Sequence, residues 1–407
     1  MHKVVARSLY LLTLICTFMS TPVIAGGLWI LEFGAPPMGR AAAGAETGYD
    51  DASAGLYNPA GMAYATGTQW MVTGGVIVPQ VEFDVDRGSI LNGTGDGGDA
   101  GSAVPTASVF YTRQLNDKMR FGTNFYALTG SALDYDNDWA GRYQATEVSL
   151  VMMALQPALS YQVNDQVSLG ASVVFAYTEL ELEVAVPNTT TPLAGPDGRA
   201  NIDGDDFNVG FALGAVFELS DRTRLGVVYQ SELDAEYSGD AKLDPAGLKV
   251  GIDTELPLAA IIRLGLSHEF DDHVTGHATI GWDDWSTFDS INLSTQSNSA
   301  KLERNWDDTY HLALGVSYRI DKEWQWQAGI AYDTSPVDAD DRTADLPVDH
   351  QVRYAFGVTH TRTSGLEVSG NFVYADYGDA EIDAPGFSGD YSSNEILFAA
   401  VSFNWRH

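Results

Sequence analysis

Cysteine is almost missing from this chain: Cys16 is the only one, and it lies in an N-terminal stretch that reads as an export leader. Beyond that stretch no disulfide framework and no thiol chemistry is open to the protein. Positive charge is also scarce, with 22 Lys and Arg against 55 Asp and Glu and a formal net charge of −33. Nucleic acid is excluded as a partner class, because binding it needs clustered cations. No Gly-x-Ser-x-Gly elbow occurs, so the spacing points to no esterase-type nucleophile. After the leader no run approaches eighteen apolar residues, which excludes a spanning helix.

The leader itself is well formed. Lys3 and Arg7 give a positive start, Leu9–Met19 is apolar, and Val23-Ile24-Ala25 is a small-residue cleavage site. The apolar run is shorter than the ~20 residues of a membrane-spanning helix. Ile15 stands before Cys16 where a lipoprotein would carry a small residue. Cleavage is therefore expected after Ala25, giving three parts: a leader over 1–25, a small-residue segment over 26–67, and the remainder, 68–407.

What the remainder does have is period-two alternation. In His311–Ile320, Leu312, Leu314, Val316, Tyr318 and Ile320 share one face, while His311, Ala313, Gly315, Ser317 and Arg319 share the other. Trp324–Asp333 and Gln351–His360 alternate in the same way, as does Leu397–His407 at the chain end. Successive side chains of a strand point to opposite faces, so each segment has one apolar and one polar side. Trp324 and Tyr332 stand at the ends of an apolar face, the pattern of aromatic girdles at a lipid boundary. Six short connections are built on turn formers: Asn116-Asp117, Asn164-Asp165, Ser220-Asp221, Asp271-Asp272, Asp321-Lys322 and Thr363-Ser364. They alternate with seven longer connections, near 87–103, 134–144, 187–204, 238–252, 290–304, 335–348 and 382–391. Short turns on one side and long loops on the other describe a transmembrane antiparallel β-barrel of about fourteen strands, an all-β fold. A soluble sandwich has no reason to sort its loops this way. A barrel of that width is not filled by its own wall. Residues 26–67, rich in Gly and Ala and turned at Asn58-Pro59-Ala60, are the segment available to plug it.

Several motifs then fall into an order that resembles the long-chain fatty acid transporters of Gram-negative outer membranes and their aromatic-hydrocarbon uptake relatives. They are Met38-Gly39-Arg40-Ala41, Asp50-Asp51-Ala52, Tyr57-Asn58-Pro59-Ala60-Gly61, Asp138-Trp139-Ala140-Gly141-Arg142-Tyr143, Asp284-Trp285-Ser286-Thr287-Phe288, Asn305-Trp306-Asp307-Asp308-Thr309-Tyr310, and Gly329–Val337 with Arg342 behind it. The resemblance implies an N-terminal hatch that shifts near Asn58, Pro59 and Ala60. It also implies sideways exit of an apolar ligand at a kinked third strand, here about Met119–Asp134, where Gly122 or Gly130 could mark the kink. The implied setting is the outer membrane, with its lipid and lipopolysaccharide around a monomeric barrel. No cofactor is called for.

A fatty carboxylate needs Arg or Lys within hydrogen-bonding reach. Arg142, Lys301, Arg304, Arg342 and Arg353 lie in or near the matched segments and are the head-group candidates; the alternative for each is a salt bridge to one of the many acids. Leu193, Leu243 and Leu248 are the sparse apolar residues of the outer loops. His268, His273 and His277 flank one turn as a possible metal set, and Asn201–Asp206 offers calcium-type oxygens without the proper loop spacing. Gly93–Gly98 matches a dinucleotide fingerprint by letter only, with no helix after it. Two other function classes stay open beside transport of hydrophobic molecules: an adhesin or phage receptor working through acidic loops, and a barrel enzyme with a triad assembled in space.

Overall fold

The structure is a computed structural model that describes residues 32–87, 95–187, 197–244, 247–294 and 299–407. The expected leader, residues 26–31 of the expected plug, Gly93, Thr94 and Leu193 lie outside them. Strands β1 (Thr68–Arg87), β2 (Val104–Gln114), β3 (Met119–Asp134), β4 (Glu147–Asn164), β5 (Val167–Val186), β6 (Gly198–Ser220) and β7 (Thr223–Gln230) follow one another, each antiparallel to the last. After the hairpin of β8 (Leu233–Asp244) and β9 (Leu248–Leu258), β10 (Ile261–Glu269) returns to pair with β7 and with β11 (Val274–Asp283). A second hairpin, β12 (Ser290–Ser294) with β13 (Ser299–Glu303), precedes β14 (Thr309–Arg319), which pairs with β11. Then come β15 (Trp324–Asp333), β16 (Gln351–Thr361), β17 (Leu366–Asp376), the short β18 (Ile382–Ala384) and β19 (Phe387–Arg406). β19 lies between β17 and β1, and its pairing with β1 closes the ring. Without β8, β9, β12, β13 and β18, the closed wall has fourteen antiparallel strands among the described residues. Closure leaves no open sheet edge at the seam, which a hydrocarbon layer requires.

Burial is inverted relative to a soluble protein. On β14, Leu312 and Leu314 are 47% and 52% exposed, while His311 and Ala313 are buried. On β4, Val151, Met153, Leu155, Leu159 and Tyr161 face outward, and Leu150, Met152, Ala154, Gln156, Ala158 and Ser160 face inward and are buried. Large apolar side chains on the open face identify it as the lipid face. Four of the expected turns share one local device. A side-chain oxygen of Asn116, Asn164, Asp271 or Asp321 accepts from the backbone N–H groups two and three residues on, at 2.8–3.0 Å. This is why Asn or Asp opens the short turns.

Four of the seven long connections turn out to be partly strand. The β5–β6 ladder runs out to Val186↔Gly198, 238–252 is the tip of the β8–β9 hairpin, 290–304 contains β12 and β13, and 382–391 contains β18. The outward face of these outer ladders is polar, as in Glu179↔Asp205 and Glu181↔Asp203, while Leu180, Leu182 and Ile202 stand on the other face. The apolar outward face that marks a strand in lipid is therefore absent although the backbone still pairs.

Residues 32–67 pack against the inner side of the wall. They form 3₁₀ turns at Pro36–Arg40, Ala45–Thr47 and Pro59–Tyr64 and one helical turn, α1 (Ala54–Tyr57). Wall glycines make room for them. A Cβ on Gly170 would meet Ala60 N at 2.2 Å, on Gly226 the Glu46 oxygen at 2.1 Å, on Gly329 the Arg40 oxygen at 2.2 Å, and on Gly122 the Met62 sulfur at 2.4 Å. Gly214 is the tightest case, with Asn58 Oδ1 at 1.8 Å. Gly214→Ala is expected to lower stability by about 1–3 kcal/mol through overpacking, read by urea unfolding in lipid vesicles. Wild-type stability in that variant would contradict the fit described here.

Candidate functional site

The turn comes first. Asn58 is fully buried. Its Oδ1 accepts from Ala60 N at 2.9 Å and caps Pro59–Tyr64, with Pro59 in the first position where no N–H is needed. Its Nδ2 donates to Glu46 O at 2.8 Å and toward the wall carbonyls of Ala215 and Val227, both at 3.2 Å. One amide thus ties the turn to the N-terminal segment and to β6 and β7 together. Nearer the short turns, Asp50 receives Arg406 at 3.0 Å and Gln69 at 2.8 Å. Next to it Asp51 is buried and accepts from Ser53 N and Oγ at 2.7 and 2.6 Å. Burial pushes the Asp51 carboxyl up to about 7 in spite of those bonds.

The five head-group candidates are all engaged. Arg142 bonds Asp197 at 3.0 Å and stacks on Tyr143. Lys301 is exposed on β13, between Glu303 at 3.0 Å and Asp289 at 3.5 Å. Arg304 grips both Asp345 oxygens, at 3.0 and 2.5 Å. Burial alone would raise the Asp345 carboxyl, but the Arg304 guanidinium outweighs it and holds it below the usual carboxylate range. Arg342 donates to Val348 O at 2.9 Å, Val337 O at 2.8 Å and Glu381 O at 2.5 Å, and so ties its own loop to the connection between β17 and β18. Arg353, buried on the inner face of β16, bonds Asp333 and Gln351 and lies 3.4 Å from Glu32.

The third strand is irregular, but not at Gly122, which is paired on both sides, with Thr112 and with Ala158. The register against β4 slips between Ala127 and Thr129, leaving Leu128 as an extra residue; Gly130 follows in regular pairing with Val151. A bulge of this kind bends its strand. On the other side the break is larger. β2 and β3 pair only from Gln114↔Arg120 to Val109↔Phe125. Val104–Ser108 then pair with β1 alone, and Thr129–Ala132 with β4 alone. The wall is rejoined at the outer end by the Gly101↔Leu133 bridge and by Asp134 N donating to Ala100 O at 2.9 Å. Between these limits lies a gap.

An apolar cavity of about 300 Å³ occupies that gap. Ile77, Val81, Leu150, Leu346 and Phe398 line it, and Val104 and Ser131 stand on the two sides of the break. Ala132, Ser149 and Val151 also line it. Val151 belongs to the lipid face of β4, so the cavity runs through the wall. Tyr377 and Asn394 are its polar side chains beside three serines, and no charged residue lines it among the described residues. On the short-turn side of residues 32–67 the space is the reverse: Arg40, Asp50, Asp51, Arg224, Glu269, Arg319 and Lys322 surround it.

The lesser signals separate. His268 bonds Thr223, His273 bonds Arg319 O, and His277 bridges Ser267 and Ser317. The three have different partners, and no metal-type cluster occurs among the described residues. Asn201–Asp206 is strand rather than a calcium loop, and Asp203 pairs with Lys242 at 2.5 Å. Leu243 and Leu248 face each other at the β8–β9 tip, away from the cavity lining. The gap, the Leu128 bulge and Glu32 were not found from the sequence. The glycines recurring on polar strand faces were a usable signal for the packed inner segment.

Comparison with known proteins agrees with this geometry. The sequence profile described as outer membrane protein transport protein (OMPP1/FadL/TodX) matches residues 16–406. A long-chain fatty acid transport protein of Escherichia coli is 24% identical over 398 residues, covering 88% of each chain. A Pseudomonas aeruginosa FadL homologue has the same fold at TM-score 0.86 and 21% identity, covering 94% of this chain and all of that one. The Pseudomonas putida toluene transporter TodX aligns at TM-score 0.68 and 18% identity, over 89% of this chain and 99% of its own.

Two expectations follow from the geometry. Asp51 binds its proton more tightly docked than unfolded, so docking of residues 50–57 is firmest at low pH and weakens as pH rises toward about 7. Amide protection factors there, which remove the ordinary base catalysis of exchange, should fall as pH rises from about 4 to about 7 and lose that fall in Asp51→Asn; protection factors independent of pH in the wild type would contradict it. Arg304→Ala leaves Asp345 buried and unpaired, a loss on the order of 3–5 kcal/mol, and should open the 335–348 loop to limited proteolysis.

Proposed function

The chain belongs to the outer membrane protein transport family, and on that premise we propose that it takes up long-chain fatty acids and delivers them sideways into the outer membrane. The observation that carries this reading is the apolar cavity that crosses the wall at the β2–β3 gap. Magnitude decides between routes. A methylene moved from an apolar site into water loses about 0.8 kcal/mol. Passage straight down the lumen would take an alkyl chain into the charged space around Asp50, Arg224 and Lys322. Passage through the gap leads from apolar lining to lipid and avoids that loss.

Tyr377 and Asn394, joined by Tyr377 N donating to Asn394 O at 2.8 Å, give the mainly apolar lining a polar spot suited to a head group. Residues 32–67 act as the hatch. Asn58, which holds the segment to β6 and β7, is the natural point of release. Lys301, Arg304 and Arg342 serve the outer loops through their own acids and carbonyls. A second reading, uptake of uncharged aromatic hydrocarbons, is favoured by the lack of charged residues in the cavity lining.

The test is uptake of labelled oleate and labelled toluene by cells that lack their own transporter. Ser131→Trp fills the cavity at the gap and is expected to bring uptake to background with the barrel normally inserted. Asn58→Ala is expected to slow uptake without loss of the barrel. Unchanged uptake in Ser131→Trp would overturn the lateral route.

A further inference from the structure

We propose that Glu32 is a built-in stand-in for the cargo's carboxylate: a fatty acid head group displaces it from Arg353, and this exchange frees the N-terminal segment. The proposal rests on the fatty acid reading above. Both side chains are buried, and Glu32 Oε1 lies 3.4 Å from Arg353 Nε. The guanidinium also bonds Asp333, which in turn accepts from His311 across 2.7 Å. Two carboxylates therefore share Arg353. One belongs to the fixed wall and the other to the movable segment, and the Glu32 contact is the longer.

The site is within reach of the cavity. Tyr377 lines the cavity and hydrogen-bonds the same guanidinium. A head group beside Tyr377 in the cavity is thus separated from Arg353 by one side chain. The consequence of displacement is also local. Phe33 follows Glu32 and packs on Tyr57 at 5.7 Å and edge-on to Tyr126 at 4.9 Å. Tyr126 is the first residue of β3 beyond its pairing with β2. Moving Glu32 therefore loosens the aromatic contact that backs the gap.

Charge conservation makes the exchange selective. Pulling Glu32 away without replacement would weaken the compensation of a buried guanidinium, which is costly. A carboxylate cargo replaces like with like, and an uncharged hydrophobe cannot. Oleate and oleyl alcohol share a chain and differ in this respect, which makes them the discriminating pair.

The experiment uses the full barrel in phospholipid nanodiscs. Oleate should speed amide exchange over residues 33–48, and oleyl alcohol should not. Glu32→Gln removes the internal competitor and should bind oleate roughly tenfold tighter, with oleyl alcohol unchanged. Arg353→Lys keeps the charge but not the fork, and should weaken oleate alone. Equal changes for both ligands, or none for either, overturn the exchange while leaving transport intact. Failure of wild-type protein to bind or take up either ligand overturns the transport reading itself.

Discussion

Backbone groups inside a hydrocarbon layer must be paired within the protein, and the rest of this structure depends on how that constraint is handled. Around most of the wall it is met by continuous ladders, closed by β19 against β1. Between β2 and β3 it is relaxed: Val104–Ser108 and Thr129–Ala132 pair on one side only. The break is short, bounded at both ends by cross-strand contacts, and opens onto an apolar cavity. A weakness in the wall thus coincides with the space in which an apolar molecule is most stable.

The second dependence is between the inner segment and the wall. Glycines on β3, β5, β6, β7 and β15 let the segment's backbone come within contact distance. Asn58 then joins it to wall carbonyls, and Arg406 and Gln69 hold Asp50. Beside these polar and steric contacts, Phe33, Met38, Leu56 and Met62 place apolar side chains against the wall, so a shift of the segment has to carry or re-form those contacts as well. The buried Asp51, with its carboxyl near 7, adds a point at which docking is less than optimal at neutral pH.

Much of this was legible in the sequence because lipid imposes a strict pattern. Leu312, Leu314, Val316 and Tyr318 announce a lipid-facing strand by alternation, and the Asn or Asp at 116, 164, 271 and 321 announce its turns. Where lipid ends, the outward apolar pattern ends too: Asn201 and Asp203, inside the connection read near 187–204, are strand residues paired with Glu183 and Glu181. The head-group candidates show a different limit. Arg304 and Arg342 were selected by charge and neighbourhood, but Asp345 lies 41 residues from Arg304 and the Glu381 carbonyl 39 from Arg342, so only the fold reveals the pairing. The gap was least legible of all. It is a failure of pairing between Thr106 and its missing neighbour on β3, and a single sequence carries no register.

The central claim is that cargo crosses the wall at the β2–β3 gap. Its most direct measurement is photo-cross-linking with a diazirine fatty acid in outer-membrane vesicles, followed by mass-spectrometric mapping of the adducts. Adducts at Val104, Ser131, Ala132 and Val151, on both faces of the break, are the result this account predicts. Adducts confined to the charged space beyond the inner segment, at Tyr64, Arg224 or Lys322, would place the route down the lumen and contradict it.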